Sequence, residues 1–179
     1  MNSNTRRDKR SLTTKEICIF ALLGAIMYCS KAIMEFLPNI HIVGVLIMAY
    51  TLVYRTKALV PLYVFVFLCG IFGGFSAWWV PYLYVWLPLW GVTMLLPKSM
   101  GKVSIFVYSL ICSLHGIVFG TLFAPVHALL FGLDFNGMIA WIIAGLPWDL
   151  THAIGNFVAG FLIMPISTLL GKIKNLSFR

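Results

Sequence analysis

Long apolar runs separated by short polar connections dominate this chain. They cover residues 17–37, 40–54, 58–72, 78–96, 103–131 and 138–170. A helix needs about 20 apolar residues to cross the hydrocarbon core of a bilayer, and most of these runs approach or exceed that length. The pattern therefore predicts an all-α membrane protein with six transmembrane helices.

The last apolar run, residues 138–170, is too long for one straight span. It contains Gly145 and Pro147, and proline disrupts a helix interior because it lacks an N–H donor. We therefore expect a break near Gly145–Pro147, which would separate an outer segment from the true sixth helix.

The basic residues follow the alternation of these runs. All of them except Lys31 lie near the chain ends or in every second connection, at Arg6, Arg7, Lys9, Arg10, Lys15, Arg55, Lys57, Lys98, Lys102, Lys172, Lys174 and Arg179. The connections around Asn39, Ser76 and Asp134 contain no Lys or Arg. Cytoplasmic loops are enriched in these residues, so both termini are expected in the cytoplasm. We divide the chain into a basic cytoplasmic segment (1–16), a six-helix membrane domain (17–171) and a basic cytoplasmic tail (172–179).

Composition and charge narrow the class of protein further. Hydrophobic residues make up 61% of the chain and charged residues 10%, whereas soluble domains carry about 25% charged residues. The net charge of +8 reflects the basic connections, so the lipid bilayer and not nucleic acid is the expected partner. The four cysteines form no CxxC pair, and we predict neither a metal site nor a disulfide framework.

The sixth run carries a row of polar side chains. Asp149, His152 and Asn156 are spaced by three and four residues, so a helix places them on one face. Polar groups inside a membrane segment are costly and usually face a protein interior or a water-filled cavity. The row is expected either to bind a ligand or to hold helices together through hydrogen bonds.

With this orientation, nearly all the intramembrane ionisable residues lie in the outer half of the membrane. An outward-facing, aromatic-lined pocket with a few polar groups would account for that placement. Its expected substrate-binding residues are Lys31, Glu35, Asn39, Trp79, Tyr82, Trp86, His127, Trp148, Asp149, His152 and Asn156. Two simpler interpretations stay open: the aromatic residues could form an interfacial belt, and Lys31 could pair with Glu35.

Small residues form a second feature, near the cytoplasmic end of the first run. Ala21, Gly24 and Ala25 share one helix face, and small faces allow close helix approach in lipid. We interpret this face as a docking surface for a partner, on the side of the membrane opposite the pocket.

Together these features resemble a known family. The six predicted helices, the basic N-terminus, the Ala21-xxx-Ala25 face and the segment from Pro147 to Asn156 are similar to the substrate-binding S-component of energy-coupling factor vitamin transporters. The resemblance implies a multi-pass protein of a prokaryotic plasma membrane that captures a water-soluble vitamin or cofactor precursor at its outer face. It also implies delivery after docking, through Ala21 and Ala25, to a transmembrane coupling protein with two ATPase subunits. The chain has no GxxxxGK[ST] loop, so ATP would be used by those partners and no cofactor is expected on this chain.

Two other function classes remain as alternatives. A self-sufficient small-molecule transporter is one, although no internal repeat is evident. An intramembrane enzyme that uses His152 and Asp149 is the other, but HExxH and GxSxG motifs are absent and carboxylates are few. We therefore expect that the chain is not an enzyme.

Overall fold

The described part of the chain is built of helices and turns. The computed structural model describes residues 12–37, 39–97 and 103–177, and no strand occurs among them. The α-helices are α1 (Thr14–Ile33), α2 (Val43–Tyr54), α3 (Leu59–Gly73), α4 (Leu87–Leu95), α5 (Val103–Ile117), α6 (Phe119–Phe131), α7 (Phe135–Gly160) and α8 (Ile163–Ser177), with 3₁₀ segments at Arg55–Ala58 and Val80–Leu83. The prediction of an all-α protein is confirmed.

Several helical stretches have the length and apolar character of membrane spans. Within the described ranges these are Thr14–Ile33, Val43–Gly73 and Val103–Phe131. A fourth is formed if Phe135–Gly160 and Ile163–Leu176 count as one span bent by 52°. The segment Val80–Leu95 is shorter, and it contains Pro81 and Pro88, which interrupt regular helix formation.

The first three helices alternate in direction. The Tyr50 hydroxyl donates to the Leu23 carbonyl, and Phe20 packs on Tyr54 at 5.2 Å between ring centroids, so α1 and α2 are antiparallel. Lys57 pairs with Glu16 at the start of α1, and α3 continues beside α1 in the same direction. The chain therefore reverses between α2 and α3, where Arg55 adopts a left-handed backbone conformation (φ 56°).

α2 lies at the centre of the molecule. Eleven of its twelve residues are buried; α8 and α4 are its main neighbours, and α1, α5 and α7 also contact it. Because α2 is buried on all sides, none of its faces contacts water, which explains why it has no polar face. The hydrophobic core surrounds this helix.

α7 packs along both α5 and α6. Gly116 of α5 lies against Ala153, Gly120 of α6 lies against Asp149, and His127 of α6 stacks on Trp141. The predicted break near Gly145–Pro147 is wrong, because α7 continues through Pro147 to Gly160. Contacts with α6 on both sides of the proline hold the two halves together, and the bend comes instead between α7 and α8.

Basic side chains from several elements meet at one end of the bundle. Lys57 pairs with Glu16 of α1, the Arg55 guanidinium donates to the Met94 carbonyl at the end of α4, and Lys174 donates to the Val53 carbonyl. We call this the basic end. The remaining predicted basic positions of the chain ends and connections, apart from Lys15 and Lys172, lie outside the described residues: those within 1–11, Lys98, Lys102 and Arg179.

Candidate functional site

Two adjoining cavities lie at the end of α1 opposite the basic end. The larger one, of about 360 Å³, is lined by Tyr28, Lys31, Ala32, Glu35, Cys69, Phe72, Gly73, Trp78 and Tyr82. The smaller one, of about 200 Å³, is lined by Lys31, Met34, Glu35, Leu37, Asn39, Ile40, His41, Tyr82, Phe119 and His152. Because Lys31, Glu35 and Tyr82 line both, we treat the two as one site.

The two charged residues of the site remain separate from each other. Lys31 is in the last turn of α1, where the negative end of the helix dipole favours a cation. Glu35 follows the helix, which ends at Ile33, so the regular four-residue spacing of a helical ion pair is lost. Among the described residues, neither side chain forms an ion pair or hydrogen bond. The alternative interpretation, in which Lys31 pairs with Glu35, is therefore wrong.

Two histidines lie together in the smaller cavity. His41 and His152 have their ring centroids 4.8 Å apart, and His152 also packs edge-on against Phe119 at 4.9 Å. Nδ1 of His41 and Nε2 of His152 are buried and have no hydrogen-bond partner within the described part of the chain. Burying an unpaired polar atom is unfavourable, so these nitrogens are suited to a polar group of a bound molecule.

His41 was not among the residues predicted from the sequence. It lies in an apolar stretch just before α2, and it approaches His152 only because Asn39 and the turn after α1 bring the start of α2 beside α7. Asn39 itself has a left-handed backbone (φ 57°), which asparagine tolerates better than most residues. An isolated histidine among apolar residues was the one sequence signal for this position.

Trp86 is buried beside the site and does not line either cavity. It is 1% exposed, and it packs against Tyr82, His115 and Phe119 at centroid distances of 5.7, 5.6 and 5.2 Å. The His115 ring bonds through Nε2 with the Val85 carbonyl at 2.8 Å. Through these contacts Trp86 and His115 support Tyr82 and Phe119, which line the cavities.

The predicted polar row on α7 divides between two roles. His152 lines the smaller cavity, whereas the Asp149 carboxylate accepts the Gly120 N–H at 3.0 and 3.2 Å. Asn156 donates from Nδ2 to the Cys112 carbonyl at 3.1 Å. Asp149 and Asn156 thus join α7 to α6 and α5, and their contact with a ligand stays a prediction.

Three other predicted binding residues do not line either cavity. Trp79 donates from Nε1 to the Val66 carbonyl at 2.8 Å and so packs on α3. The Trp148 side chain is 55% exposed, and its backbone carbonyl accepts a hydrogen bond from Asn39 at 3.3 Å. His127 stacks on Trp141 at 4.6 Å between α6 and α7. The cavities instead bring in Tyr28, Phe72, Trp78 and Phe119, whose positions depend on tertiary packing.

The small-residue face of α1 is only partly open. Ala21 is exposed and Ala25 is half-buried, but Gly24 is buried against α3. A Cβ atom at Gly24 would lie 2.5 Å from Val64 Cγ1 and 2.9 Å from the Pro61 carbonyl oxygen. Gly24 therefore permits close packing within the chain, while Ala21 and Ala25 are the members that a partner could reach.

No three His, Cys, Asp or Glu side chains within the described ranges come together as a metal site.

Comparison with known proteins adds no identification: no family model matches the chain, and neither a curated protein nor a solved structure matches it. The candidate site is therefore interpreted from its own geometry.

Proposed function

We propose that this protein is the substrate-capture subunit of a membrane importer of the energy-coupling factor type. The observation that carries the proposal is the pair of cavities in a largely apolar helical chain, which combine Lys31 and Glu35, unpaired within the described residues, with two imidazoles that each hold a buried nitrogen without a partner there. Buried imidazole nitrogens without a partner are costly unless a ligand uses them, and aromatic walls with a few polar groups are typical of small-molecule sites. A water-soluble vitamin or cofactor precursor fits this chemistry.

The proposed orientation has six membrane passes, cytoplasmic termini and the cavities facing outward. Its support is the separation of charge: Lys57 and Arg55 lie at the basic end, near Glu16, whereas Lys31 and Glu35 lie at the far end of α1. Fifteen residues of helix from position 16 to position 31 span about 22 Å, most of the hydrocarbon thickness. By the positive-inside rule the basic end would face the cytoplasm, and the family resemblance implies a prokaryotic plasma membrane.

The proposed partners are a transmembrane coupling protein and two ATPase subunits. The exposed side of α1 supports this part, because Ala21 is small, exposed and closer along the helix to Glu16 of the basic end than to the cavity-lining Tyr28, and the half-buried Ala25 follows one turn later. A partner helix can approach such a face closely in lipid. The chain itself would bind the substrate, and its partners would use ATP.

Mass spectrometry of small molecules that co-purify with the protein tests the proposal. We expect one small molecule to be enriched with the wild-type chain and lost from Lys31→Met and His152→Leu, two residues of the cavities. Lys172→Met removes an exposed charge far from the cavities and serves as the control. No enriched molecule, or equal recovery from all three variants, would reject substrate capture at this site.

Uptake into proteoliposomes tests the role as a subunit. We expect the co-purified molecule to accumulate only when the coupling protein and ATPases are reconstituted with this chain. Accumulation driven by this chain alone would instead support a self-sufficient transporter, and chemical conversion of the molecule would support an enzyme.

A further inference from the structure

Opposite charges face the same small volume in the candidate site. Lys31 and Glu35 each line both cavities, and no other Lys, Arg, Asp or Glu in the described part of the chain lines either one. The formal charge of the lining is therefore balanced, although the ammonium and the carboxylate do not pair with each other.

A ligand with a single charge would satisfy one of these groups and be repelled by the other. Lys31 is half-buried and Glu35 is exposed, so a ligand that covers them would remove water from both charges, and the repulsion would then be screened less. A neutral ligand would leave both charges without an ionic partner. A compact zwitterion satisfies both groups at once, and its two charges need to be separated by only a few bonds.

Aromatic side chains line the larger cavity beside these charges. Tyr28 and Phe72 are stacked at 5.0 Å between ring centroids, and Trp78 packs edge-on against Tyr82 at 5.4 Å. Such surfaces bind planar rings well, and this stacking does not require the ligand to carry a particular charge. The ring of a bound molecule would thus lie in the larger cavity, with its charged end between Lys31 and Glu35.

We propose that the site takes a small zwitterion attached to a planar ring, with its anionic group at Lys31 and its cationic group at Glu35. An aromatic α-amino acid has this arrangement, since its carboxylate and ammonium share one carbon. The inference rests on the proposed substrate-capture function and adds the charge class of the substrate.

A matched set of probes tests the inference. L-phenylalanine is zwitterionic, 3-phenylpropionate carries only the anion, 2-phenylethylamine carries only the cation, and 3-phenylpropanol carries neither. Binding to the dialysed full-length protein in nanodiscs is measured by ligand-observed saturation-transfer NMR at millimolar probe concentration. We expect L-phenylalanine to bind at least about fivefold more tightly than either singly charged probe, as one retained charged contact would give.

Two variants that each remove one charge identify which residue contacts the anionic group of the ligand and which contacts the cationic group. Lys31→Met should bind L-phenylalanine no better than 2-phenylethylamine, and Glu35→Gln should bind it no better than 3-phenylpropionate. The exchanged variant Lys31→Glu with Glu35→Lys should keep a preference for the zwitterion, and Lys172→Met should behave like the wild type. These patterns separate a specific contact from a change in folding or net charge.

Three results would overturn the inference. They are equal binding of the zwitterion and a singly charged probe, an unchanged preference in Lys31→Met or Glu35→Gln, and no signal from any of the four probes. Failure here is distinguishable from failure of the proposed function. A co-purified molecule that carries one sign of charge, or none, would reject the zwitterion while leaving substrate capture in place.

Discussion

At the scale of single residues, the site depends on polar groups that the protein leaves without internal partners. Four polar residues line the smaller cavity: Lys31, Glu35, His41 and His152. Within the described residues, the two charged groups form no ion pair, and Nδ1 of His41 and Nε2 of His152 have no hydrogen-bond partner. The Asp149 carboxylate and the Asn156 amide nitrogen differ, since each has a backbone partner on a neighbouring helix, whereas Oδ1 of Asn156 has none within the described residues. Residues of similar chemistry on one helix face therefore have separate tasks, and mutation should separate them.

Removing either cavity histidine should weaken binding of the co-purified molecule. His41→Leu and His152→Leu each replace a ring nitrogen that is available to a ligand, and losing such a hydrogen bond costs about 1–2 kcal/mol, or roughly five- to thirtyfold in affinity. Equilibrium dialysis of the purified variants measures the change. His127→Leu, which alters a histidine stacked on Trp141 away from the cavities, is the matched control. Unchanged affinity in both cavity variants would mean that these imidazoles do not contact ligand.

A methyl group at Gly120 should destabilise the fold. A Cβ atom there would lie 2.4 Å from Oδ2 of Asp149, so the carboxylate would be displaced from the α6 backbone. Overpacking of this kind costs about 1–3 kcal/mol, and thermal unfolding in detergent would report a lower midpoint for Gly120→Ala. Gly91→Ala is the control, because nothing lies within 4 Å of the added atom. Equal midpoints for the two variants would contradict the proposed role of the Asp149–Gly120 contact.

At the scale of helices, the small-residue face of α1 serves two surfaces at once. Gly24 faces α3, while Ala21 is exposed on the same helix. One turn of helix therefore contains a residue needed for internal packing and a residue available to a partner. Their substitutions should have different consequences.

Ala21→Trp should impair delivery without affecting capture. The bulky ring would prevent close approach of a partner helix, but position 21 is exposed and lines neither cavity. We expect wild-type recovery of the co-purified small molecule and strongly reduced co-purification of the coupling protein. Leu169→Trp, at an exposed position on α8, is the control for a new surface tryptophan. Normal association of Ala21→Trp with the coupling protein would exclude this face from docking.

Gly24→Ala should act on the fold itself. Its Cβ would contact Val64 and the Pro61 carbonyl, so α1 and α3 would have to separate slightly. We expect a loss of stability of about 1–3 kcal/mol, measured by thermal unfolding. Gly171→Ala on α8 has open space around it and should change the midpoint little. A stable Gly24→Ala protein would show that the α1–α3 contact is more tolerant than its geometry indicates.

At the scale of the whole molecule, the basic end and the cavities lie at opposite ends of the bundle. Helix directions bring Arg55, Lys57 and Glu16 together, and the same directions bring the end of α1 beside the start of α2 and α7. This polarity is the basis of the proposed orientation, with substrate entering opposite the basic end.

Cysteine accessibility in intact cells tests that orientation. In a chain lacking its four native cysteines, we expect Ser76→Cys to react with a membrane-impermeant maleimide added outside. Lys172→Cys should react only after the membrane is permeabilised. Both positions are exposed on the protein, so a difference in labelling reports the side of the membrane. Labelling of Lys172→Cys from outside would reverse the orientation and place the cavities toward the cytoplasm.

Much of this protein could be predicted from the sequence because it depends on local composition. Apolar runs, their helical character and the candidate polar residues Lys31, Glu35 and His152 follow from side-chain chemistry along one segment. The predicted break at Pro147 failed because contacts with α6 on both sides of the proline outweigh its local preference.

What only the tertiary structure decided is which polar groups have partners. The backbone N–H of Gly120 comes to Asp149 from α6, the carbonyl of Cys112 comes to Asn156 from α5, and His41 reaches His152 from the start of α2. Each of these contacts joins segments that are distant in the sequence, and helix periodicity carries no information about the neighbouring helix. The sequence by itself therefore determined a helical membrane protein with polar groups in its apolar segments, and helix packing decided which of those groups are free to bind a ligand.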